Sequence, residues 1–380
     1  MKINFYLPNV ESGGAEKMII ALANEMAHRK LDITLILGVN KGAFKSDISS
    51  GVKVIELGSL SVLKSAIRLF QLVLKNKPNI LCVTKSHVNT MVALFAPFLK
   101  DTSVVLREAN TPSVECKHAS TYGKCIMAFG KLTYRFADKY VAVSNGVSED
   151  MCDFYSISRN KVQTIYNPVI SPKMYELSKE KVTHSFFDER KMNSSIYIFI
   201  AVGRLMPQKD YPTMIEAFNR AFIKNNNIRL IILGRVEKNN VDYNVVTEKI
   251  DKYELNEVVS FVGFVQNPFK YLLKGDCFIQ TSLFEGLPGT LIQALGLKKE
   301  IIATNCKSGP EEVLDYGKHG ILVEMGNVDQ ISTEILEYSK GKTNSKAKEK
   351  FLTQFTTIAS TDSYIKMFNQ LNGIQIYEVK

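Results

Sequence analysis

The sequence predicts an α/β protein made of two units, each with a parallel sheet covered by helices. Two observations carry this prediction. Short apolar segments alternate with segments of helical periodicity, and the alternation starts again after a polar, lysine-rich stretch at 173–195. Nearly continuous apolar strands are typical of parallel sheets that are buried on both faces. The chain has 380 residues, which is long enough for two domains.

In the first half, we expect an opening helix over 15–30, because Met18, Ile19, Leu22, Ala23 and Met26 share one helical face. A second amphipathic helix is expected over 60–75, and we assign most of its apolar residues to the core. The boundary of this half is placed near 166–169. The expected strands are 3–8, 33–38, 52–57, 80–84, 104–108 and 140–144.

The second half repeats the pattern of the first. Its expected helices are 211–225, 245–253 and 290–297. Its expected strands are 197–202, 229–234, 258–262, 277–281 and 301–304. Parallel α/β sheets bind their ligands at the carboxyl ends of the strands, so we look for function in the loops that follow these strands.

Composition and motifs exclude several classes of protein. The six cysteines form no C-x-x-C pair, which indicates reduced thiols in a cytosolic protein. No apolar stretch is long enough to span a bilayer, and the chain begins with a strand pattern rather than a signal peptide. D-x-D, P-loop and G-x-S-x-G motifs are absent. We therefore expect no metal and no cofactor.

The positive charge is concentrated in the first half. The net charge is +10, and residues 1–168 carry 21 basic and 13 acidic residues, whereas residues 169–380 carry 27 and 25. A basic half suits nucleic acid, an anionic membrane surface or a phosphorylated substrate. No nucleic-acid-binding motif is present, so we expect no nucleic-acid partner.

In each half, the loop after the first strand carries candidate binding residues. Gly13 and Gly14 open the first helix, where a ligand can approach the backbone and the helix N-terminus favours anions, although a plain tight turn explains them equally well. Arg204 and Lys209 share the loop after strand 197–202. Two cations in one loop suit a phosphate ligand, and a solvated surface loop is the alternative.

Glu285 stands in a turn that does not require an acid. Gly286, Leu287, Pro288 and Gly289 follow it, between an apolar strand and an apolar helix. The carboxylate either caps the helix or, beside exposed backbone amides, binds the hydroxyls of a sugar phosphate. The amide of Gln293 is a further polar group for a polyol. Glu311, in the loop 308–312, has a capping box as its alternative role.

Taken in order along the chain, these loops resemble the retaining glycosyltransferases of family 4. The resemblance covers essentially the whole chain and is carried by Gly13-Gly14, 203–205 with Lys209, 285–288 and 308–312. It implies the GT-B fold, an α/β architecture of two Rossmann-like parallel-sheet domains that face a central cleft. The implied domains are an acceptor-side domain at 1–168, a nucleotide-sugar-binding domain at 169–350, and a C-terminal helix at 351–372 that crosses back to the first domain.

The resemblance also implies roles for single residues. Arg204 and Lys209 would bind the nucleotide diphosphate and stabilise its departing charge, and Glu285 would bind hydroxyls of the donor sugar. The turn made of Gly286, Leu287, Pro288 and Gly289 would line the sugar and phosphates. Gly13 and Gly14 would let the donor's phosphate and sugar approach the first helix. Gly263 and Phe264 would hold the nucleotide base. Glu311 is a further expected substrate contact.

The sequence departs from the family pattern at two positions. Gln293 stands where the family has a second glutamate, usually on the nucleotide ribose, which predicts altered nucleotide binding. Asn110 stands in a loop where many relatives have a histidine that contacts the sugar, and His118 comes only further on. The second departure affects the assignment of the acceptor side.

The function implied by the resemblance is metal-independent, retaining transfer of a hexose or N-acetylhexosamine from a UDP-sugar. The acceptor would be a polyprenyl-diphosphate-linked or growing glycan of bacterial capsule or O-antigen synthesis. The enzyme would lie on the inner face of the plasma membrane, with its basic first half against anionic lipid. Two alternatives remain open: a UDP-sugar epimerase of the same fold, and a non-catalytic nucleotide-sugar-binding protein, which Gln293 would favour.

Overall fold

The computed structural model describes residues 1–10, 13–59, 61–236 and 241–373 of the chain, with no side-chain description at 241 and 242. The chain divides into two compact units. Unit 1 consists of Met1–Val169 together with the chain from Thr353 onward, and unit 2 is Ile170–Leu352. The sequence analysis placed these divisions after residues 168 and 350.

Unit 1 contains a seven-stranded parallel sheet in the order β3-β2-β1-β4-β5-β6-β7. Its strands are β1 Lys2–Leu7, β2 Asp32–Leu37, β3 Lys53–Glu56, β4 Ile80–Thr84, β5 Ser103–Glu108, β6 Lys139–Ala142 and β7 Val162–Thr164. The order reverses between β1 and β4. Loops after these two strands therefore diverge to opposite sides and leave a crevice at the carboxyl edge of the sheet.

Helices cover both faces of the unit 1 sheet. They are α1 Gly14–His28, α2 Val62–Asn76, α3 Ser86–Phe95, α4 Pro112–His118, α5 Thr121–Thr133, α6 Asn145–Tyr155 and, from the end of the chain, α16 Thr357–Leu371. Tyr364, Met367 and Phe368 of α16 are buried in the same apolar cluster as Phe5 of β1. The last helix is therefore part of the core of unit 1.

Unit 2 contains a six-stranded parallel sheet in the order β10-β9-β8-β11-β12-β13, with the reversal between β8 and β11. Its strands are β8 Tyr197–Val202, β9 Ile228–Leu233, β10 Val259–Gly263, β11 Cys277–Gln280, β12 Glu300–Thr304 and β13 Ile321–Val323. Its helices are α7 Pro172–Ser178, α8 Ser185–Met192, α9 Tyr211–Phe222, α10 Val241–Lys252, α11 Phe269–Lys274, α12 Gly289–Gly296, α13 Pro310–Val313, α14 Val328–Ser339 and α15 Glu349–Leu352.

The fold adds detail in the polar stretch 173–195, for which the sequence analysis named no helix. It contains α7 and α8. The Ser171 hydroxyl accepts a hydrogen bond from the Met174 N–H at the start of α7, and the His184 ring accepts one from the Phe186 N–H at the start of α8. Short helices with such caps and few apolar residues lack the long periodicity that a sequence reading detects.

Helix α2 differs from the expectation in its burial. Its start agrees to within two residues, although residue 60 lies outside the described residues. Most of its apolar side chains were assigned to the core, yet Leu63, Ile67 and Leu74 are exposed. None of the described helices combines the length and the hydropathy that a membrane span requires.

Candidate functional site

Lys209 and Glu285 form an ion pair at the point where the strand order of unit 2 reverses. Lys209 follows β8 and Glu285 follows β11, and the distance from Nζ to Oε1 is 2.5 Å. The side chains are only 17% and 9% exposed. The Ser282 hydroxyl also donates to the same carboxylate oxygen at 2.7 Å. Glu285 is not the N-cap of α12, because that position is Pro288 and no side chain caps it.

Hydrogen bonds fix the two loops that carry this pair. The Gln208 side chain donates to the Phe284 carbonyl at 2.8 Å, and the Leu283 N–H donates to the Gln208 carbonyl at 2.8 Å. The Thr281 hydroxyl donates to the Lys209 carbonyl at 2.9 Å. The loops after β8 and β11 are thus held together before any ligand binds, which is the preorganisation that an electrostatic site requires.

Three glycines end the neighbouring strands β8, β9 and β10. The Gly234 N–H donates to the Gly263 carbonyl at 2.9 Å, and a Cβ at Gly234 would lie 1.8 Å from the Gly203 carbonyl oxygen. A side chain at Gly234 therefore cannot fit without moving the backbone after β8. Sequence reasoning did not assign Gly234 a role, although it ends an expected strand at the carboxyl edge of the sheet.

The turn at 286–289 packs against the loop at 308–312. Gly309 has a φ of +91°, and a Cβ there would lie 2.6 Å from Pro288 Cδ and 3.0 Å from the Gly286 carbonyl oxygen. Phe284 and Lys307 also form a parallel bridge between the two segments. The structure thus brings two of the motifs singled out in the sequence into direct contact.

Two buried polar atoms near these segments have no hydrogen-bond partner among the described residues. They are Oε1 of Gln293, in the second turn of α12, and Oγ of Ser308. Gln293 is 9% exposed. Burying an acceptor without a donor is costly, and native proteins normally satisfy such groups. A donor from a ligand would satisfy this amide oxygen.

Three other residues that were expected to contact the substrate have exposed side chains. Arg204 is exposed, and its side chain makes no hydrogen bond or ion pair with the described residues. Phe264 is exposed just after Gly263, whose φ is +83°. Glu311 is exposed in α13. Each side chain is available to a ligand, but no protein contact fixes its position.

In unit 1, the loop after β1 approaches the loop after β4. Glu16 of α1 is 5% exposed, and one of its oxygens lies 2.9 Å from Lys85 Nζ. The other oxygen has no partner among the described residues and lies 1.8 Å from where a Cβ at Gly13 would be. Gly14 has open space at its Cβ position. Residues 11 and 12 of this loop are outside the described residues.

The residue Lys85 has an unusual backbone conformation, with a φ of +101°. Such a value is rare for a residue with a side chain and costs conformational energy, so it concentrates where function demands it. Its side chain reaches Glu16 across the point where the strand order of the unit 1 sheet reverses. The ammonium group is partly exposed beside the Gly13 loop.

A buried carboxyl group, Glu108, ends β5 and is 1% exposed. Its Oε1 accepts hydrogen bonds from Asn89 Nδ2 at 2.9 Å and from the Tyr134 hydroxyl. Ser86 Oγ lies 2.8 Å from its Oε2 and 3.0 Å from Oε2 of Glu115. Burial, and then the charge of Glu115, raise the pKa of Glu108 to about 7.

Asn110, the expected substitute for the family's histidine, is exposed two residues after β5. Its side chain hydrogen-bonds Glu115 of α4, and burial raises the pKa of Glu115 against this hydrogen bond. Sequence reasoning named the loop but assigned no role to Glu108 or Glu115. In the part of the chain that the structure describes, no group of three or more His, Cys, Asp or Glu side chains is placed to hold a metal ion.

Comparison with protein families gives two matches that together cover most of the chain. The model described as Glycosyltransferase Family 4 matches residues 12–170. The model described as Glycosyl transferases group 1 matches residues 184–352. The first match covers most of unit 1, from α1 onward without β1, and the second covers the whole sheet of unit 2.

Curated relatives match over most of their length. An uncharacterized glycosyltransferase of Methanocaldococcus jannaschii is 30% identical over 287 residues, which are 70% of this chain and 69% of the relative. A Campylobacter jejuni protein, named as an N-acetylgalactosamine-N,N'-diacetylbacillosaminyl-diphospho-undecaprenol 4-alpha-N-acetylgalactosaminyltransferase, is 27% identical over 341 residues, which are 86% of this chain and 87% of the relative.

Solved structures share the fold. Anabaena HepE in complex with UDP-glucose aligns with a TM-score of 0.78 and 19% identity, over 97% of this chain and 100% of that chain. WaaG, described as a glycosyltransferase involved in lipopolysaccharide biosynthesis, aligns with a TM-score of 0.71 and 12% identity, over 98% and 100%. Two parallel-sheet α/β domains of the GT-B type are therefore confirmed.

Proposed function

Since this chain belongs to glycosyltransferase family 4, we propose that it moves a hexose or N-acetylhexosamine from a UDP-sugar to a lipid-linked or growing bacterial glycan, with retention of configuration. The Lys209–Glu285 pair at the strand reversal of unit 2 is the observation that carries the proposal. A cation and a carboxylate held side by side suit a ligand that has phosphates next to hydroxyls.

The names of relatives support the choice of donor and acceptor. HepE has been solved with UDP-glucose, and the Campylobacter jejuni relative is named for a diphospho-undecaprenol acceptor. Other relatives are an amylovoran biosynthesis glycosyltransferase of Erwinia amylovora and a capsular polysaccharide biosynthesis glycosyltransferase of Staphylococcus aureus. We therefore assign the product to a surface glycan such as capsule or O-antigen.

The proposed chemistry is attack on the same face of the sugar from which the diphosphate leaves. The bond from the anomeric carbon to the phosphate oxygen breaks, the bond to the acceptor oxygen forms, and the acceptor's proton passes to the departing diphosphate. Lys209 and the exposed Arg204 stabilise the charge on that diphosphate, and Glu285 binds hydroxyls of the sugar. In this proposal the two cations supply the charge that a metal supplies elsewhere, so a chelator leaves the rate unchanged.

Removal of either member of the pair tests the assignment. Lys209→Ala and Glu285→Ala should each lower transfer by about a hundredfold or more, the usual effect of losing one electrostatic contact in the transition state. The matched control is Lys224→Ala, an exposed lysine elsewhere in unit 2. Circular dichroism checks that all three variants are folded. Normal turnover in a folded Lys209→Ala or Glu285→Ala protein would reject the site.

The alternatives are separated by the requirement for an acceptor. A transferase releases UDP in proportion to the acceptor supplied, an epimerase converts the free UDP-sugar without one, and a binding protein does neither. The orphaned oxygen of Gln293 favours nucleotide binding but does not separate these three functions. Chromatography of the sugar nucleotide with and without a polyprenyl-diphosphate glycan distinguishes them.

We also propose that the protein acts at the cytoplasmic face of the plasma membrane, bound to anionic lipid through unit 1. The support is the exposed apolar side chains Leu63, Ile67 and Leu74 of α2, which lie among the exposed cations Lys64 and Lys75. A surface that combines both properties suits the headgroup region of a bilayer, where each nearby cation contributes about 1 kcal/mol.

A further inference from the structure

The hydrogen bonds around Glu108 require one proton more than the site would hold if both Glu108 and Glu115 were ionised. Ser86 Oγ is within hydrogen-bond distance of a carboxylate oxygen of Glu108 and of one of Glu115. A serine hydroxyl has a single hydrogen and can donate to only one of the two. The second contact is a hydrogen bond only if that carboxyl group is protonated and donates to Ser86.

The geometry identifies the group that holds this proton. Oε1 of Glu108 already accepts from Asn89 and Tyr134, so the free position is Oε2, which faces Ser86. Glu108 is almost fully buried, which disfavours its charged form. Glu115 is less buried, and the charge of Lys85 favours its ionised form. The chain of donors therefore runs from Glu108 Oε2–H to Ser86 Oγ–H to Glu115.

Other ionisable groups surround this series of hydrogen bonds from Glu108 through Ser86 to Glu115. Tyr134 donates a hydrogen bond to Glu108 and Tyr155 stacks on the Tyr134 ring, and burial chiefly raises the pKa values of both tyrosines. His87 follows Ser86, and burial, together with the charge of Lys85, lowers its pKa. Asp150 of α6 accepts hydrogen bonds from Ser113 of α4. On the other side of β5, the Arg107 guanidinium donates to Thr84 and Asn167. Among these groups and Glu115, Glu108 is the carboxyl group that burial isolates most completely and whose pKa rises to about 7.

We propose that Glu108 works as a neutral acid, and that its proton, acting through Ser86, holds Glu115 and the loop at Asn110 in position to receive the acceptor. The proposal rests on the proposed function, together with the acceptor-side role that the family resemblance implies for unit 1. Glu108 and Ser86 are then positioning residues. Loss of the proton leaves two carboxylates sharing one hydroxyl, and their repulsion displaces Glu115 together with helix α4.

Stability measured against pH tests the proton independently of catalysis. The pKa of Glu108 rises from 4.5 to about 7 on folding. The folded protein thus keeps a proton that the unfolded chain releases, so the contribution of Glu108 to stability falls as pH rises from about 4.5 to about 7. Glu108→Gln should lose this slope, because its Oε1 still accepts from Asn89 and Tyr134 while its Nε2 donates to Ser86. Glu149→Gln, at an exposed position of α6, should keep it. An unchanged slope in Glu108→Gln overturns the proposal.

The acceptor dependence of transfer tests the positioning role. In the wild type, kcat/KM for the acceptor should fall about tenfold per pH unit above about pH 7, and Glu108→Gln should remove this decline. Ser86→Ala should raise KM for the acceptor and leave KM for the UDP-sugar unchanged, which general destabilisation would not do. A decline that persists in Glu108→Gln overturns the positioning role. If no variant transfers sugar, the proposed function fails, and the stability slope still decides whether Glu108 holds a proton.

Discussion

The contacts of Glu285 explain why the turn at 285–289 contains an acidic residue. Glu285 lies next to Lys209, which is 76 positions earlier in the chain, because β8 and β11 are neighbours in the sheet. The sequence predicted that both residues follow strands, and this is confirmed. It left helix capping open as the role of Glu285, and the structure decides against it, because Pro288 is the N-cap of α12 and no side chain caps that helix. A contact between distant loops depends on strand order, which local patterns do not contain.

A single methyl group added at Gly234 should destabilise the folded protein. Gly234→Ala would place a Cβ against the Gly203 carbonyl, so we expect a loss of about 1–3 kcal/mol in the free energy of unfolding. Gly14→Ala is the matched control, since its Cβ meets open space in the first turn of α1 and should be neutral or slightly stabilising. Urea denaturation measures both variants. Equal stability of the two would show that the backbone at Gly203 yields easily.

Gln293 provides a prediction about nucleotide affinity. Its buried Oε1 has no hydrogen-bond donor among the described residues. A ribose hydroxyl would form a stronger hydrogen bond with a carboxylate than with an amide. Gln293→Glu should therefore bind UDP about tenfold more tightly in isothermal titration calorimetry. Gln293→Met, of similar shape but apolar, should bind more weakly than the wild type. Unchanged affinity in both variants would place the ribose elsewhere.

Among the elements, α2 gives the clearest prediction about membranes. We expect Leu63→Ser with Ile67→Ser, or Lys64→Glu with Lys75→Glu, to reduce flotation with vesicles of anionic phospholipid, because one pair removes apolar contact and the other reverses the charge. Ile223→Ser, at an exposed apolar position of unit 2, is the control. Equal flotation of all variants and the wild type would remove α2 from the membrane surface.

The elements also show where prediction from sequence succeeds and fails. Long buried strands such as β1, β4 and β8 were predicted within about one residue at their ends, because their apolar runs are unbroken. The three-residue edge strands β7 and β13 were missed, since so few residues carry no periodicity. The expected helix at 351–372 is interrupted: it includes the end of α15, a 3₁₀ turn at Thr353–Phe355 and α16, whose start is capped by Thr356.

At the scale of the whole molecule, the same arrangement occurs in each unit. Both sheets reverse their strand order once, and at each reversal a lysine and a glutamate from the segments that follow the two neighbouring strands form an ion pair. The pairs are Glu16–Lys85 in unit 1 and Lys209–Glu285 in unit 2. The fold thus places polar groups at the positions where parallel sheets bind ligands. The family resemblance, not composition, supplied the identity of those ligands.

The central claim is that the Lys209–Glu285 pair of unit 2 binds a UDP-sugar, and a thermal-shift titration tests it most directly. The melting temperature of the wild type is compared with that of Lys209→Met/Glu285→Gln, which removes both charges and so leaves no lone buried ion. UDP, GDP, ADP and their common sugars are added without metal. A ligand at about a hundred times its dissociation constant stabilises a protein by about 2.7 kcal/mol.

We predict that UDP and one UDP-sugar raise the melting temperature of the wild type, and that the double variant loses most of this shift. Equal stabilisation of the two proteins by a UDP-sugar, or stabilisation of the wild type by GDP- or ADP-sugars alone, would contradict the account.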